Sequence, residues 1–175
     1  MRNNKTQKLV INAILIALGA ILHQVTPALG LPMQPDFALA MLFIIMFINK
    51  DYKTSLISAI ILGVFTALTT KFPGGQLPNI IDKVVTIQVA YMLMKVTEGR
   101  MSESLRQGII FGVCTFVSGA TFLGSALILV GLPAGASFGL LIATVVVPAV
   151  IINIPVGIAL YRLIEKTGRY AKVSI

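Results

Sequence analysis

"QGIIFGVCTFVSGATFLGSALILVGLPAGASFGLLIATVVVPAVIINIPVGIALY", residues 107–161, contains no Asp, Glu, Lys or Arg. A helix needs roughly 20 apolar residues to cross the hydrocarbon core of a bilayer. The run is too long for one such helix and long enough for two. Gly and Pro punctuate regular structure, and "GLPAGASFG" (131–139) divides the run. Two spans are expected here, at 105–131 and 138–162.

Working outward, four more apolar runs appear, at 9–26, 33–49, 54–70 and 79–97. Hydrophobic residues make up 57% of the chain and charged residues only 11%, with a mean hydropathy of +0.93. A soluble domain carries about a quarter charged residues, and no water-soluble fold of 175 residues hides this much apolar surface. The expectation is an all-α integral membrane protein: one transmembrane domain, residues 1–175, with six helices in a bundle. The first run follows a basic start (Arg2, Lys5, Lys8). That pattern also marks signal peptides, but five further runs follow, so the first is read as an uncleaved helix.

The basic residues test this count independently, because cytoplasmic loops are enriched in Lys and Arg. With the N-terminus inside, twelve of the fourteen basic residues fall on cytoplasmic segments. The exceptions are Lys71, in the middle outer loop, and Lys83, inside the fourth run. Six spans with both termini in the cytoplasm are therefore expected. An odd number would put the C-terminal basic cluster (Arg162, Lys166, Arg169, Lys172) on the wrong side.

Several function classes are excluded. The net charge of +8 is spread over short loops, with no basic face interleaved with aromatics, so it does not indicate a nucleic-acid surface. One cysteine, Cys114 in an apolar run, offers neither a disulfide framework nor a metal site. No GxxxxGK[ST] phosphate loop and no HExxH zinc motif occurs. "KTG" (166–168) is a fragment of an acyl-enzyme signature without its partner motifs. The chain is read as a non-enzyme, without metal or cofactor; any ATP is hydrolysed by another chain.

The polar residues that break the apolar pattern collect at one depth, the outer side of this topology. They are His23, Gln24 and Thr26; Gln34 and Asp36; Thr69, Thr70 and Lys71; and Gln76, Asn79, Asp82 and Lys83. At about 100° per residue, Asn79, Asp82, Lys83 and Thr86 share roughly a 100° arc, with Gln88 opposite. Ionisable groups within a span are expensive, and they pair with one another or face a watery cavity. An outward-opening site roofed by residues 71–78 follows, with Phe37, Phe72, Met33 and Tyr91 as apolar wall candidates. Acids beside bases, with amides between them, suit a small zwitterion of amino-acid type.

Each residue also has a purely structural reading. Asn79 and Asp82 form a near capping box, and Asp36 after Pro35 suits a first helical turn. Lys83 can snorkel to headgroups and Lys71 can anchor an interface. His23 is readable as a satisfied buried polar group, and Asn153 as support where Pro155 interrupts helix hydrogen bonding. On the first helix, Ala13 and Ala17 lie four apart. Such small residues let helices approach closely in lipid, inside the bundle or against a partner.

The basic start, six helices and Ala13-xxx-Ala17 resemble the substrate-binding S component of an energy-coupling factor (ECF) transporter. More narrowly, "LHQVTPALGLPMQPDFALAMLFI" (22–44), "NKDYKTSL" (49–56) and "LTTKFPGGQLPNIIDKVVT" (68–86) resemble the bacterial tryptophan-transporter (TrpP-like) family. The resemblance implies a multi-pass protein of the bacterial cell membrane that captures tryptophan, or a related aromatic amino acid, from outside. It implies that the Ala13/Ala17 face docks on a membrane coupling (T) subunit, while two cytosolic ATPases drive uptake. For tryptophan, charge suggests Lys71 or Lys83 for the carboxylate, Asp36 or Asp82 for the ammonium, and Gln76 and Asn79 as orienting amides, with His23 beside them. Two alternatives stay open. One is a stand-alone secondary transporter coupled to protons through Asp82 or His23, although such carriers usually contain internal repeats and none is found. The other is a non-transporting membrane partner or sensor subunit.

Overall fold

A computed structural model describes residues 4–27, 34 and 36–170. Met33 and Pro35, named above, lie outside the described residues. Six helices run in chain order: α1 (Asn4–Val25), α2 (Ala38–Asn49), α3 (Tyr52–Leu68), α4 (Gln76–Thr97), α5 (Glu103–Leu129) and α6 (138–170). Within α6 a π-helical segment, Ile142–Val146, joins Phe138–Leu141 to Val147–Tyr170. Every helix falls on one of the six apolar runs, and the fold is that of an all-α membrane protein.

The centre of the bundle is α2. "ALAMLFIIMFI" is apolar on every side, and each residue from Ala38 to Ile48 is buried. A helix that is hydrophobic all round belongs inside. Its 12 residues extend only about 18 Å at about 1.5 Å per residue, less than a bilayer core, but the other helices surround it. The stretch from 33 to 37 that was expected to belong to this span is not helical where described: Asp36 precedes a turn at Phe37.

Around α2, three helices are long and apolar enough to cross a membrane, over Lys5–Val25, Glu103–Leu129 and Phe138–Thr167. Their outward faces expose Ile14, Ile21, Ile128, Ile151 and Leu163, the surface that lipid covers. With 22 residues α4 is as long as α1, yet its polar stripe lowers its hydropathy.

Turns are set by local chemistry. Lys50 ends α2 in a left-handed conformation (φ +51°), its N–H bonding Met46 O, and the next residue, Asp51, caps α3 by accepting from Thr54 N at 2.8 Å. The break in the charge-free run is real: α5 stops at Leu129 and α6 starts at Phe138, with Gly131 and Gly135 both at φ +81°. Only glycine takes that conformation without steric cost.

The two ends of the bundle differ. At one, the reciprocal amide pair Asn12–Asn49 joins α1 to α2 (2.8 and 3.3 Å), and Arg106 lies over the Phe47 ring. The other end brings together the C-terminus of α1, the entry to α2, the α3–α4 connection and the α5–α6 connection. The site lies there.

Candidate functional site

The stripe on α4 is built as its periodicity requires. Asn79, Asp82, Lys83 and Thr86 are all buried, while Gln88 is exposed on the opposite side and accepts from Tyr52 Oη at 2.6 Å. Lys83 is completely buried. Gly63 on α3 makes room for it: a Cβ there would sit 3.4 Å from Lys83 Cβ and 3.5 Å from its Cγ. The stem thus passes through a gap between helices, and the ammonium group emerges among acids.

Lys83 Nζ lies 2.5 Å from Asp36 Oδ2 and 2.8 Å from Asp82 Oδ2. The other carboxylate oxygens are held too. Asp36 Oδ1 accepts from Ala38 N at 2.9 Å, and Asp82 Oδ1 accepts from Ser118 Oγ at 2.5 Å. The structural and ionic readings of Asp36 therefore both hold, since it caps the start of α2 while pairing with α4. Asp82 is no capping-box acid. The N-cap of α4 is Gly75, which leaves Asn79 one turn inside the helix, where its Nδ2 donates to Gly75 O at 2.8 Å.

The cluster reaches two more helices. Asn153 of α6 donates through Nδ2 to Asp36 O and to Thr115 Oγ1, both at 3.2 Å. The expectation that Asn153 serves its own helix near Pro155 gives way to a cross-link between α6, α5 and the entry to α2. Burying ions costs several kcal/mol each, and only tight pairing with further hydrogen bonds offsets it. Four segments are committed to that pairing.

Beside the cluster is an open cleft, with about 530 Å³ of free space when the solvent at its mouth is counted in. Its polar lining includes His23, Gln34, Asp36, Lys71, Asn79 and Asp82, with Thr70, Thr115 and Ser118. Its apolar wall is formed by Leu39, Phe72, Phe122, Val145, Val146 and Ala149. Val145 and Val146 belong to the π segment, a departure from α-helix that is frequent at functional sites. Gly119 lets α5 approach that segment, because a Cβ there would lie 2.6 Å from both γ-carbons of Val146.

The mouth is strapped by the α3–α4 connection. Lys71, exposed, donates to Gln24 O (3.3 Å) and Thr26 O, capping the carbonyl end of α1 where a cation opposes the helix dipole. Next to it, Phe72 meets Phe122 edge-to-face, with ring centroids 5.3 Å apart. His23 Nδ1 is 2.7 Å from Thr69 Oγ1. With the Thr69 hydroxyl donating to Phe65 O (2.9 Å), the imidazole is the donor in that bond.

Among the residues expected at the site, Asp36, Lys71, Asn79, Asp82 and His23 line the cleft together. Lys83 does not line it and instead pairs with both acids. Gln76 is exposed at the start of α4 and is not part of the lining. Of the wall candidates within the described residues only Phe72 lines the cleft. Phe37 does not, and Tyr91 lies at the other end, 3.4 Å from Lys50 O. Ala13 and Ala17 are exposed on α1. The alternative that they pack inside the bundle does not hold; Gly19, facing Met41 and Leu62, takes that part. Sequence reasoning missed Thr115 and Ser118. Their spacing of three in an apolar helix was the available signal.

Fold and site together define an all-α integral membrane protein with a mixed-charge cleft at one end of its bundle. The sequence model of the family described as Tryptophan transporter TrpP matches residues 5–169, and the chain belongs to that family. A Clostridium perfringens protein named probable tryptophan transport protein is 49% identical, over 99% of this chain and 98% of its own. Proteins of the same name from Clostridium acetobutylicum (46%, 97% of each chain) and Bacillus subtilis (37%, 92% of each) are also similar. No solved structure matches the chain.

Proposed function

We propose that this chain is the substrate-binding subunit of an ECF-type importer, taking up tryptophan or a related aromatic amino acid into a bacterial cell. The observation that carries the reading is the cleft. It sets two acids and a lysine beside a wall of Phe72, Phe122 and four aliphatic residues, the mixture a zwitterion with a large ring requires. Membership of the tryptophan-transporter family supports the choice of ring. In this reading the cleft opens outside and both termini are cytoplasmic. The exposed Ala13/Ala17 strip meets a membrane coupling subunit, and two cytosolic ATPases hydrolyse ATP, because the chain has no phosphate-binding loop.

The test is titration of the purified chain with the common amino acids, followed by uptake into liposomes. Tight binding of tryptophan is expected, with uptake only when the coupling subunit and ATPases are present with ATP. Uptake by the chain alone would overturn the division of labour, and no amino-acid binding would overturn the site.

A further inference from the structure

The charge count at the buried end of the cleft does not close. Two carboxylates, Asp36 and Asp82, face one buried ammonium, Lys83, and no other ion pair to either acid exists among the described residues. Lys71 is the lysine that lines the cleft; it is exposed, and its bonds go to the neutral carbonyls of Gln24 and Thr26. One negative charge, shared by buried Asp82 and partly buried Asp36, is left over.

A second observation is independent of the acids. Gln34 lines the same cleft and is 7% exposed. Its Nε2 donates to His23 O at 2.7 Å, which fixes the orientation of the amide. Its Oε1 is buried and finds no donor among the described residues. An unpaired buried acceptor costs free energy, and a site built to hydrogen-bond a ligand donor rejects analogues that lack it. Surplus negative charge and an orphan oxygen both call for a positively charged donor. A ligand carboxylate placed there would add a third negative charge.

Resting on the amino-acid reading above, we infer that Gln34 Oε1, together with Asp36 and Asp82, forms a subsite for the ligand's α-ammonium group. The amino acid therefore enters amine first. Its carboxylate stays toward the mouth, near Lys71, and its ring lies along the wall where Gly119 brings α5 close to Val146. Gln34 is thus a specificity determinant.

The experiment compares L-tryptophan, tryptamine (no carboxylate) and indole-3-propionate (no amine) by titration calorimetry on the purified full chain and on Gln34→Met. The assay is run in sodium chloride and again in choline chloride. Removing the amine is expected to weaken binding on the order of ten- to a hundredfold, because it strands charged acceptors. Removing the carboxylate is expected to cost less, since exposed Lys71 returns to water. Gln34→Met is expected to weaken tryptophan and tryptamine several-fold and leave indole-3-propionate unchanged, the non-additivity of groups in contact. Where Gln34→Met does not fold, the analogue ranking on the natural chain decides alone.

Three results overturn the subsite while tryptophan binding, and with it the functional reading, survives. They are indole-3-propionate binding more tightly than tryptamine, Gln34→Met weakening all three ligands equally, and tryptophan binding that vanishes in choline, which would assign the acceptors to a sodium ion. Failure of all three ligands to bind the folded chain overturns the functional reading as well.

Discussion

Lys83 Nζ lies 2.5 Å from Asp36 Oδ2, tying the middle of one helix to the entry of another 47 residues away in sequence. Asp82, adjacent to Lys83 on α4, accepts from the same ammonium at 2.8 Å. The arrangement makes the three charges unequal in what their loss does.

Lys83→Met leaves the buried Asp82 carboxylate and the partly buried Asp36 carboxylate with no cation between them. Breaking a buried pair from one side costs about 3–5 kcal/mol, so a large fall in thermal stability in detergent is expected. Asp82→Asn leaves one acid against one base, and the amide still accepts from Ser118, so a much smaller fall is expected. The check is thermal unfolding of both variants at pH 7. Equal stability of Lys83→Met and the natural chain would rule out the buried Lys83–Asp82 pair as a stabilising contact.

That ranking was only partly legible in the sequence. The arc Asn79–Asp82–Lys83–Thr86 follows from helical periodicity alone, because the polar residues recur at the right spacing in an apolar run. Its pairing with Asp36 depends on how α2 enters the bundle, and residues before Ala38 carry no periodic signal. Ser118 and Thr115 carry only the weak signal of their spacing, for a different reason. Ser and Thr in apolar helices commonly bond back to their own helix, as Ser125 does to Thr121 O, so residue type does not distinguish a cross-helix bond. Gln76 looked like a site residue for its position near the loop, but helix α4 starts there and turns it outward. The six helices were legible because membrane-spanning length and the placement of basic residues are global constraints.

Close packing of α5 on the π segment gives the second prediction. Gly119→Ala places a methyl group 2.6 Å from both γ-carbons of Val146, and overpacking of this kind costs about 1–3 kcal/mol. Gly63→Ala meets its neighbours only at 3.3–3.5 Å and is expected to cost less. Gly119→Ala is also expected to weaken ligand binding by displacing a wall of the cleft. Parallel melting and titration of the two variants check both statements, and an unperturbed Gly119→Ala contradicts the packing described.

A third prediction concerns pH at the other end of the bundle. Bonds from the Thr54 hydroxyl and backbone N–H hold the Asp51 carboxyl below the usual carboxylate range. A lowered folded-state value means its contribution is fully present above the ordinary carboxylate pKa and fades as pH falls through the folded one. Asp51→Asn keeps a capping oxygen but does not titrate. The stability difference between the natural chain and this variant is therefore expected to shrink from pH 6 toward pH 3, measured by thermal unfolding. A difference that grows on acidification contradicts the cap.

The exposed strip on α1 yields the last prediction, and it separates binding from transport. Ala13 and Ala17 are exposed, so Ala13→Leu and Ala17→Leu add bulk without entering the core, and surface changes of this kind stay within about 0.5 kcal/mol. Ligand affinity of the purified chain is expected to be unchanged, because the cleft lies at the far end of α1, around His23. If a coupling subunit packs on this strip, each leucine holds the two helices apart, and small residues at such interfaces are not replaceable by large ones. Tryptophan uptake by the reconstituted complex is then expected to fall by an order of magnitude or more for the double variant. Uptake at the natural rate would show that the strip faces lipid throughout the cycle, and the coupling surface would have to be sought on another helix.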